Sequence, residues 1–195
     1  MLLDLLKKRG SVRNFSDKAI PEKIIDYILE AGRLSPSGGN EQPWKFGVIN
    51  RQELIREISK IAYNQNWIGS AKLLIVLCTD IMSDERGGRD IQKARFQEFK
   101  TEIEKLDQEL YSKLNQEEHQ TKIAGTHMVL AALEQGVGST WVSYFKVEEL
   151  SKLLGLPEGY LPAEIIAFGY PKDEMKVTEK KSRDEIIFYN NEFRN

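Results

Sequence analysis

The chain of 195 residues has very little of the two side chains that most often build disulfides and metal sites. Its single cysteine, Cys78, cannot form a disulfide within the chain, and its two histidines leave no cluster of metal ligands. We therefore expect no metal. One cysteine in an apolar run is typical of a protein of the reducing cytoplasm, and we expect it to be a packed, unreactive thiol.

Long apolar runs and an excess of one charge are also missing. No apolar stretch approaches the roughly 20 residues of a membrane-spanning helix, and the charged start of the chain is unlike a signal peptide. The 28 Lys and Arg residues nearly balance 30 Asp and Glu residues, so the formal net charge is -2. Because the chain has no overall positive charge to attract polyanions, we expect it to bind neither nucleic acid nor membrane. Together with the missing apolar runs, this predicts a soluble, cytoplasmic protein.

The length suits a single domain over residues 1–195, because no linker, repeat or low-complexity tract divides the chain. One unusual block runs from Asp90 to Glu118 and is rich in charged and amide side chains. Apolar residues still recur there every three or four positions, at Phe96, Phe99, Ile103, Leu106, Leu110 and Leu114. This spacing predicts a long amphipathic helix or a helical pair, which we treat as an insertion at about 85–118.

Apolar periodicity predicts the other elements. Helices are expected at the start of the chain up to Gly10, from Pro21 to Gly32, and over 54–61, 121–135 and 147–154. The helix over 121–135 is mostly apolar and should be central, packed on all sides. Strands are expected over 44–48, 73–78, 140–145 and 163–168. A last apolar segment, Glu185 to Tyr189, is expected to form a terminal strand that reaches a partner subunit.

Two polar motifs near the start of the chain suggest a flavin site. The loop Ser35-Pro-Ser-Gly-Gly-Asn-Glu-Gln-Pro-Trp-Lys45 offers hydroxyls, an amide and two glycines whose backbone can approach a flat ligand closely. A second motif precedes the loop, Arg9-Gly-Ser-Val-Arg13. Its two guanidinium groups are four positions apart, a spacing that allows both to bind one phosphate. Taken by itself, the loop has the composition of an ordinary turn, and the two arginines by themselves are typical of solvated cations at the end of a helix. Together they favour the cofactor site.

The order of these motifs, followed by Gly136-x-Gly138, Gly169-Tyr-Pro171 and Lys181-Ser-Arg183, resembles the FMN-dependent nitroreductase family over nearly the whole chain. The resemblance implies an α+β fold with three α/β/α-like layers, in which a central, mostly antiparallel sheet is flanked by helices. It also implies a homodimer in which the C-terminal segment reaches the partner and both subunits contribute residues around each flavin. The insertion has no counterpart among the motifs.

The resemblance assigns roles to the matching positions, and all of them are cofactor-binding. The residues that would hold the phosphate and ribityl chain of FMN are Arg9, Gly10, Ser11, Arg13, Lys181 and Arg183. Those that would line one side of the isoalloxazine ring and the ribityl hydroxyls are Pro36, Ser37, Gly38 and Asn40. Further positions near the ring are Asn64 at the pyrimidine edge, Gln120, and the backbone of Val142 and Ser143 close to N5.

Two departures from the family pattern bear on the pocket. Tyr144 stands where relatives often have glycine, so that it and Trp141 could narrow the pocket beside the flavin. Trp67 stands where some relatives have a lysine that stabilises the reduced ring, and Arg13 is our candidate substitute.

The resemblance implies an oxidoreductase that passes electrons from NAD(P)H through FMN to a nitroaromatic, a quinone or a related small acceptor by a ping-pong scheme. No catalytic side chain is required, because the cofactor carries the chemistry. Two alternatives stay open: a flavin-binding redox sensor or carrier without turnover, and a scaffold that presents the 85–118 segment as an interaction helix.

Overall fold

The computed structural model of the protein describes residues 1–80, 88–107, 118–187 and 189. Its strands are β1 (Trp44–Ile49), β2 (Leu73–Asp80), β3 (Gly138–Val142) and β4 (Tyr160–Gly169). The N-terminal helices are α1 (Leu2–Lys8), α2 (Glu22–Arg33) and α3 (Gln52–Ile61). The later ones are α4 (Gly88–Arg95), α5 (Lys100–Lys105), α6 (Glu118–Glu134), α7 (Val147–Leu154) and α8 (Arg183–Ile186). None of these helices is long and apolar enough to cross a bilayer.

The four strands form one sheet in the order β1-β2-β4-β3, and every pair is antiparallel. The central strand β2 is buried along almost its whole length. Its side chains alternate between two apolar cores, with Leu74 and Val76 in one and Leu73 and Ile75 in the other. Because both faces are covered, the strand reads as an unbroken apolar run.

Helices cover both faces of the sheet and complete the three layers that the resemblance implies. On one face, Ile55 and Ile58 of α3 pack beside Leu150 of α7. On the other, Ile28 of α2 packs with Met128 of α6. The fold-class prediction is therefore confirmed, and α6 contacts α1, α2 and three strands, as its apolar composition predicted.

Helix α6 lies very close to the sheet at Gly125. A Cβ atom at this position would lie 2.5 Å from Leu77 Cδ1 and 2.6 Å from the Trp141 ring. We expect Gly125→Ala to lower the free energy of unfolding by about 1–2 kcal/mol, because overpacking outweighs the better helix propensity of alanine. Urea unfolding measures the loss. An equal loss in the exposed control Thr126→Ala would contradict this account.

Several boundaries differ from the sequence predictions. Strand β3 begins two residues earlier than expected and ends at Val142, so Ser143 and Tyr144 lie beyond it. The expected C-terminal strand from Glu185 to Tyr189 is wrong at Glu185 and Ile186, which belong to helix α8. Ser182 and Glu185 form a capping box there, which satisfies free N–H groups at the start of the helix and explains the difference.

The insertion is a helical pair over residues 88–107 rather than one long helix. Arg89 is buried and donates hydrogen bonds to the carbonyls of Ile103 at 2.8 Å and Leu106 at 3.0 Å. Lys93 on α4 pairs with Glu104 on α5 at 2.6 Å. These contacts hold α4 against α5. The predicted apolar positions Leu110 and Leu114 lie outside the described residues.

Candidate functional site

The N-terminal and C-terminal parts of the chain meet around a cavity of about 560 Å³, which we call the terminal cavity. Residues 9–14 form one wall and residues 173–178 form most of the other. The backbone joins the two walls beside the cavity, where Lys172 N–H donates to the Asn14 carbonyl at 3.0 Å. The predicted phosphate residues Arg9, Gly10, Ser11 and Arg13 all line this cavity.

Local structure explains why these residues come together. Helix α1 ends at Lys8, and Arg9 follows with extended backbone angles, so the chain leaves the helix along the edge of the sheet. Val12 N–H then donates to the Ser139 carbonyl on β3 at 3.1 Å. At Gly10 a Cβ atom would lie 2.5 Å from the Lys176 carbonyl oxygen. Glycine is therefore required for the close approach of the two walls.

The charges of the cavity favour an anion at its arginine end. Arg9, Arg13 and Lys176 are lining cations, and Asp173 and Glu174 are lining anions. The Asp173 carboxylate accepts a hydrogen bond from the Asn14 amide at 2.7 Å. Within the described part of the chain, neither arginine is paired with a carboxylate. Two guanidinium groups next to hydroxyl donors match the donor set that binds a phosphate monoester, so the residues fit the phosphate of FMN.

The predicted basic residues of the C-terminal part lie elsewhere. Lys181 and Arg183 are exposed, and neither belongs to the cavity lining, which ends at Thr178. Arg183 instead begins α8. The basic residue that the structure does place in the cavity lining is Lys176, which the sequence reasoning missed because no motif contains it. The assignment of Lys181 and Arg183 to the phosphate stays a prediction.

An aromatic side chain lies beside Arg13. The Arg13 guanidinium carbon lies 5.7 Å from the centre of the Trp67 ring. Tyr63 and Asn64 precede this tryptophan in a turn, with φ angles of 55° and 57°. Arg13 therefore lies close to Trp67, and its role as a substitute for a lysine of some relatives stays a prediction. The contact of Asn64 with the cofactor stays a prediction.

A buried carboxylate lies just past the end of β3. Glu164 on β4 is only 3% exposed, and both of its oxygens lie within 2.8 Å of the Ser143 hydroxyl. Lys122 on α6 forms an ion pair with it at 3.1 Å. These contacts fix the position of Ser143 next to Val142, the two residues whose backbone is expected near flavin N5. The sequence does contain a sign of this buried carboxylate, because Glu164 is the single charged residue in the apolar run 163–168. The sequence reasoning did not use it.

The predicted glycine-rich loop forms a second, separate cluster. The Gly38 N–H donates to the side-chain oxygen of Gln120, so these two predicted cofactor residues do lie together. Ser37 Oγ accepts a hydrogen bond from Gln42 N–H at 2.9 Å, and Asn40 has a φ angle of 57°. Among the described residues, no hydrogen bond or ion pair joins positions 36–40 to the terminal cavity.

Cys78 is buried in the core, as expected. Burial raises the pKa of its thiol to about 11, because desolvation disfavours the thiolate. We therefore expect no reaction with a thiol-specific reagent at neutral pH in the native protein, and one reactive thiol per chain after denaturation. Rapid native labelling, measured by mass spectrometry, would contradict this placement.

The described residues contain no group of side chains able to hold a metal ion.

The fold is α+β, and a cavity lined by Arg9 and Arg13 lies beside its sheet. Comparison with known proteins gives the family: the model of the Nitroreductase family matches residues 6–170. A protein of Archaeoglobus fulgidus, named as a candidate NADH dehydrogenase/NAD(P)H nitroreductase, is 31% identical over 93% of this chain and 91% of its own length. The chain belongs to the nitroreductase family.

Two further relatives agree with this result. An NADH dehydrogenase of Thermus thermophilus is 25% identical over 93% of this chain and 92% of its own. The crystal structure of a nitroreductase family protein from Streptococcus pneumoniae superposes with a TM-score of 0.77 at 25% identity, covering 97% of this chain and all of that one.

Proposed function

We propose that the protein is an FMN-dependent oxidoreductase that passes electrons from NAD(P)H to a nitroaromatic, a quinone or a related small acceptor. The observation that carries the proposal is the terminal cavity, where Arg9 and Arg13 lie together without carboxylate partners among the described residues. Membership of the nitroreductase family supports the reaction class. The names of the relatives from Archaeoglobus fulgidus and Thermus thermophilus support a nicotinamide donor.

The role of the protein is to bind and orient, which requires no proton-transfer triad. The chemistry supplied by bound FMN would be the acceptance of a hydride from NAD(P)H and the return of electrons to the acceptor. Arg9 and Arg13 would neutralise the phosphate, and Ser11 would donate a further hydrogen bond. Arg13 would also place positive charge near the ring through its position at Trp67. Glu164 would hold the backbone after β3 in place through Ser143.

We propose a homodimer because the predicted site is divided between two clusters. Gly38 of the 36–40 loop contacts Gln120, and Arg9, Gly10, Ser11 and Arg13 line the terminal cavity. Association of two chains would let the loop of each complete the site of the other, with two FMN per dimer. Exposed apolar residues on α1 are available for such an interface: Leu2, Leu3 and Leu6. Sedimentation that gives a stable, FMN-bound monomer would oppose this proposal.

The proposal covers the whole chain as one domain, with donor and acceptor using the same pocket in turn. The direct test is the visible spectrum of the purified protein during anaerobic addition of NADH or NADPH. We expect the yellow colour to bleach and to return when a nitroaromatic or a quinone is added. In double-reciprocal plots of initial rate against NAD(P)H concentration, at several fixed acceptor concentrations, parallel lines would support the ping-pong scheme. Intersecting lines would oppose it.

The two alternatives give different results in the same test. A redox sensor or carrier would bleach, but it would not oxidise NAD(P)H continuously when acceptor is present. A scaffold would lose a protein partner on deletion of the 85–118 segment, while its turnover stayed unchanged.

A further inference from the structure

Two tyrosine rings form an exposed stack beside the proposed flavin site. The Tyr63 and Tyr144 rings lie 4.0 Å apart between centroids, with 15° between their planes. Tyr63 is 46% exposed and Tyr144 is 65% exposed. Each ring thus covers one face of the other, while considerable aromatic surface stays open to solvent. An exposed aromatic surface of this kind is a natural place for a flat ligand.

Hydrogen bonds connect the two backbone segments that carry these rings. The Gln65 side-chain amide donates to the Tyr144 carbonyl at 3.0 Å, and Lys146 N–H donates to the Ile61 carbonyl at 3.2 Å. Tyr63 has a φ angle of 55°, a backbone conformation that a bulky residue seldom adopts. Tertiary contacts therefore hold this turn against its local preference, and strained positions of this kind cluster at ligand sites.

The neighbours of the pair connect it to the cofactor. Tyr63 directly precedes Asn64, and Tyr144 directly follows Ser143, two residues that we propose as ring contacts. Trp67, with Arg13 over its ring, lies three positions after Asn64. The pair therefore flanks the place where electrons would leave the flavin. The inference that follows rests on the proposed function.

We propose that the Tyr63–Tyr144 stack is the binding platform for the electron-poor planar ring of the electron acceptor. The rings are too close for a third ring to enter between them, so the ligand stacks on the exposed outer surface of the pair. A phenol ring has an electron-rich face, and nitro or quinone groups leave an electron-depleted one, so the two faces attract. The nicotinamide ring of NAD⁺ shares this chemistry, so the test must separate the two.

The experiment is calorimetric titration of the oxidised, FMN-loaded protein without electron donor, so that no turnover occurs. The ligands are 4-nitrobenzoate, the aliphatic control 3-nitropropionate, and NAD⁺. Tyr144→Leu removes one ring, and Tyr144→Phe is the matched variant that keeps it. Tyr63→Asn removes the other ring, with a residue that tolerates the left-handed backbone of this position.

We expect Tyr144→Leu and Tyr63→Asn to weaken 4-nitrobenzoate binding about fivefold, the order of one lost aromatic stack. Tyr144→Phe should stay close to the parent, and 3-nitropropionate should bind all variants alike. Unchanged 4-nitrobenzoate affinity in both ring-removing variants would overturn the proposal, and so would a loss confined to NAD⁺. Retained FMN and NAD(P)H-driven reduction of ferricyanide would show that the proposed function stands even then.

Discussion

Arg13→Ala is expected to weaken FMN binding by about 10-fold to 150-fold, the effect of one lost charge-assisted hydrogen bond. The Arg13 side chain lines the terminal cavity and has no carboxylate partner among the described residues, so it is available to a phosphate. Fluorescence titration of FMN with the cofactor-free protein measures the change. Arg9→Ala should show a loss of similar size, because both side chains line the same wall.

The matched control for this experiment is Arg56→Ala. Arg56 is exposed on α3, pairs with Glu53 at 3.4 Å, and does not line the cavity. Its replacement should leave FMN affinity unchanged. Equal affinity of the parent and the Arg13 variant for FMN would remove the phosphate assignment. Equal losses of FMN affinity in the Arg13 and Arg56 variants would show that the loss comes from the change in net charge and not from a contact in the cavity.

Glu164→Ala is expected to lower the free energy of unfolding by about 2–3 kcal/mol. The carboxylate is buried between Ser143 and Lys122, so its removal leaves a cavity and takes a partner from both side chains. The half-exposed Lys122 can still reach water, which keeps the loss below that of a fully buried ion pair. Urea unfolding at neutral pH measures the change.

Two comparisons sharpen this prediction. Glu164→Gln keeps the shape and a hydrogen-bond acceptor for Ser143 but loses the charge, so it should be about 1 kcal/mol less stable than the parent. Glu53→Ala removes an exposed carboxylate and should change stability by less than about 0.5 kcal/mol. If the alanine variants at 164 and 53 were equally stable, Glu164 would have no part in holding the end of β3.

The sequence predicted the interior of the fold well, because burial leaves a periodic pattern. The unbroken apolar run of β2 and the helical spacing of α3 and α7 follow directly from the covered faces of the sheet. The start of β3 was not predictable in this way. Gly138 lies outside the strand expected over 140–145, yet it begins β3. A Cβ atom at this position would be 2.6 Å from Val12 Cγ2, so glycine allows the two segments to approach each other. Such an approach between distant residues has no local signal.

The site was predictable where its residues form motifs and not where single residues join it from other elements. Arg9 and Arg13 are recognisable by their spacing, and the structure brings both to one cavity. Lys176 stands in no motif, and its place follows only from the approach of residues 173–178 to Gly10. The stack of Tyr63 on Tyr144 joins positions 81 residues apart, so a single sequence contains no sign of it.

The central claim is that the terminal cavity binds the phosphate of FMN, and riboflavin, which lacks only that phosphate, is the ligand that tests it. The account predicts that the cofactor-free protein binds FMN at least about 100-fold more tightly than riboflavin, because two guanidinium groups each contribute a charge-assisted hydrogen bond. Equal affinities for the two compounds would contradict it.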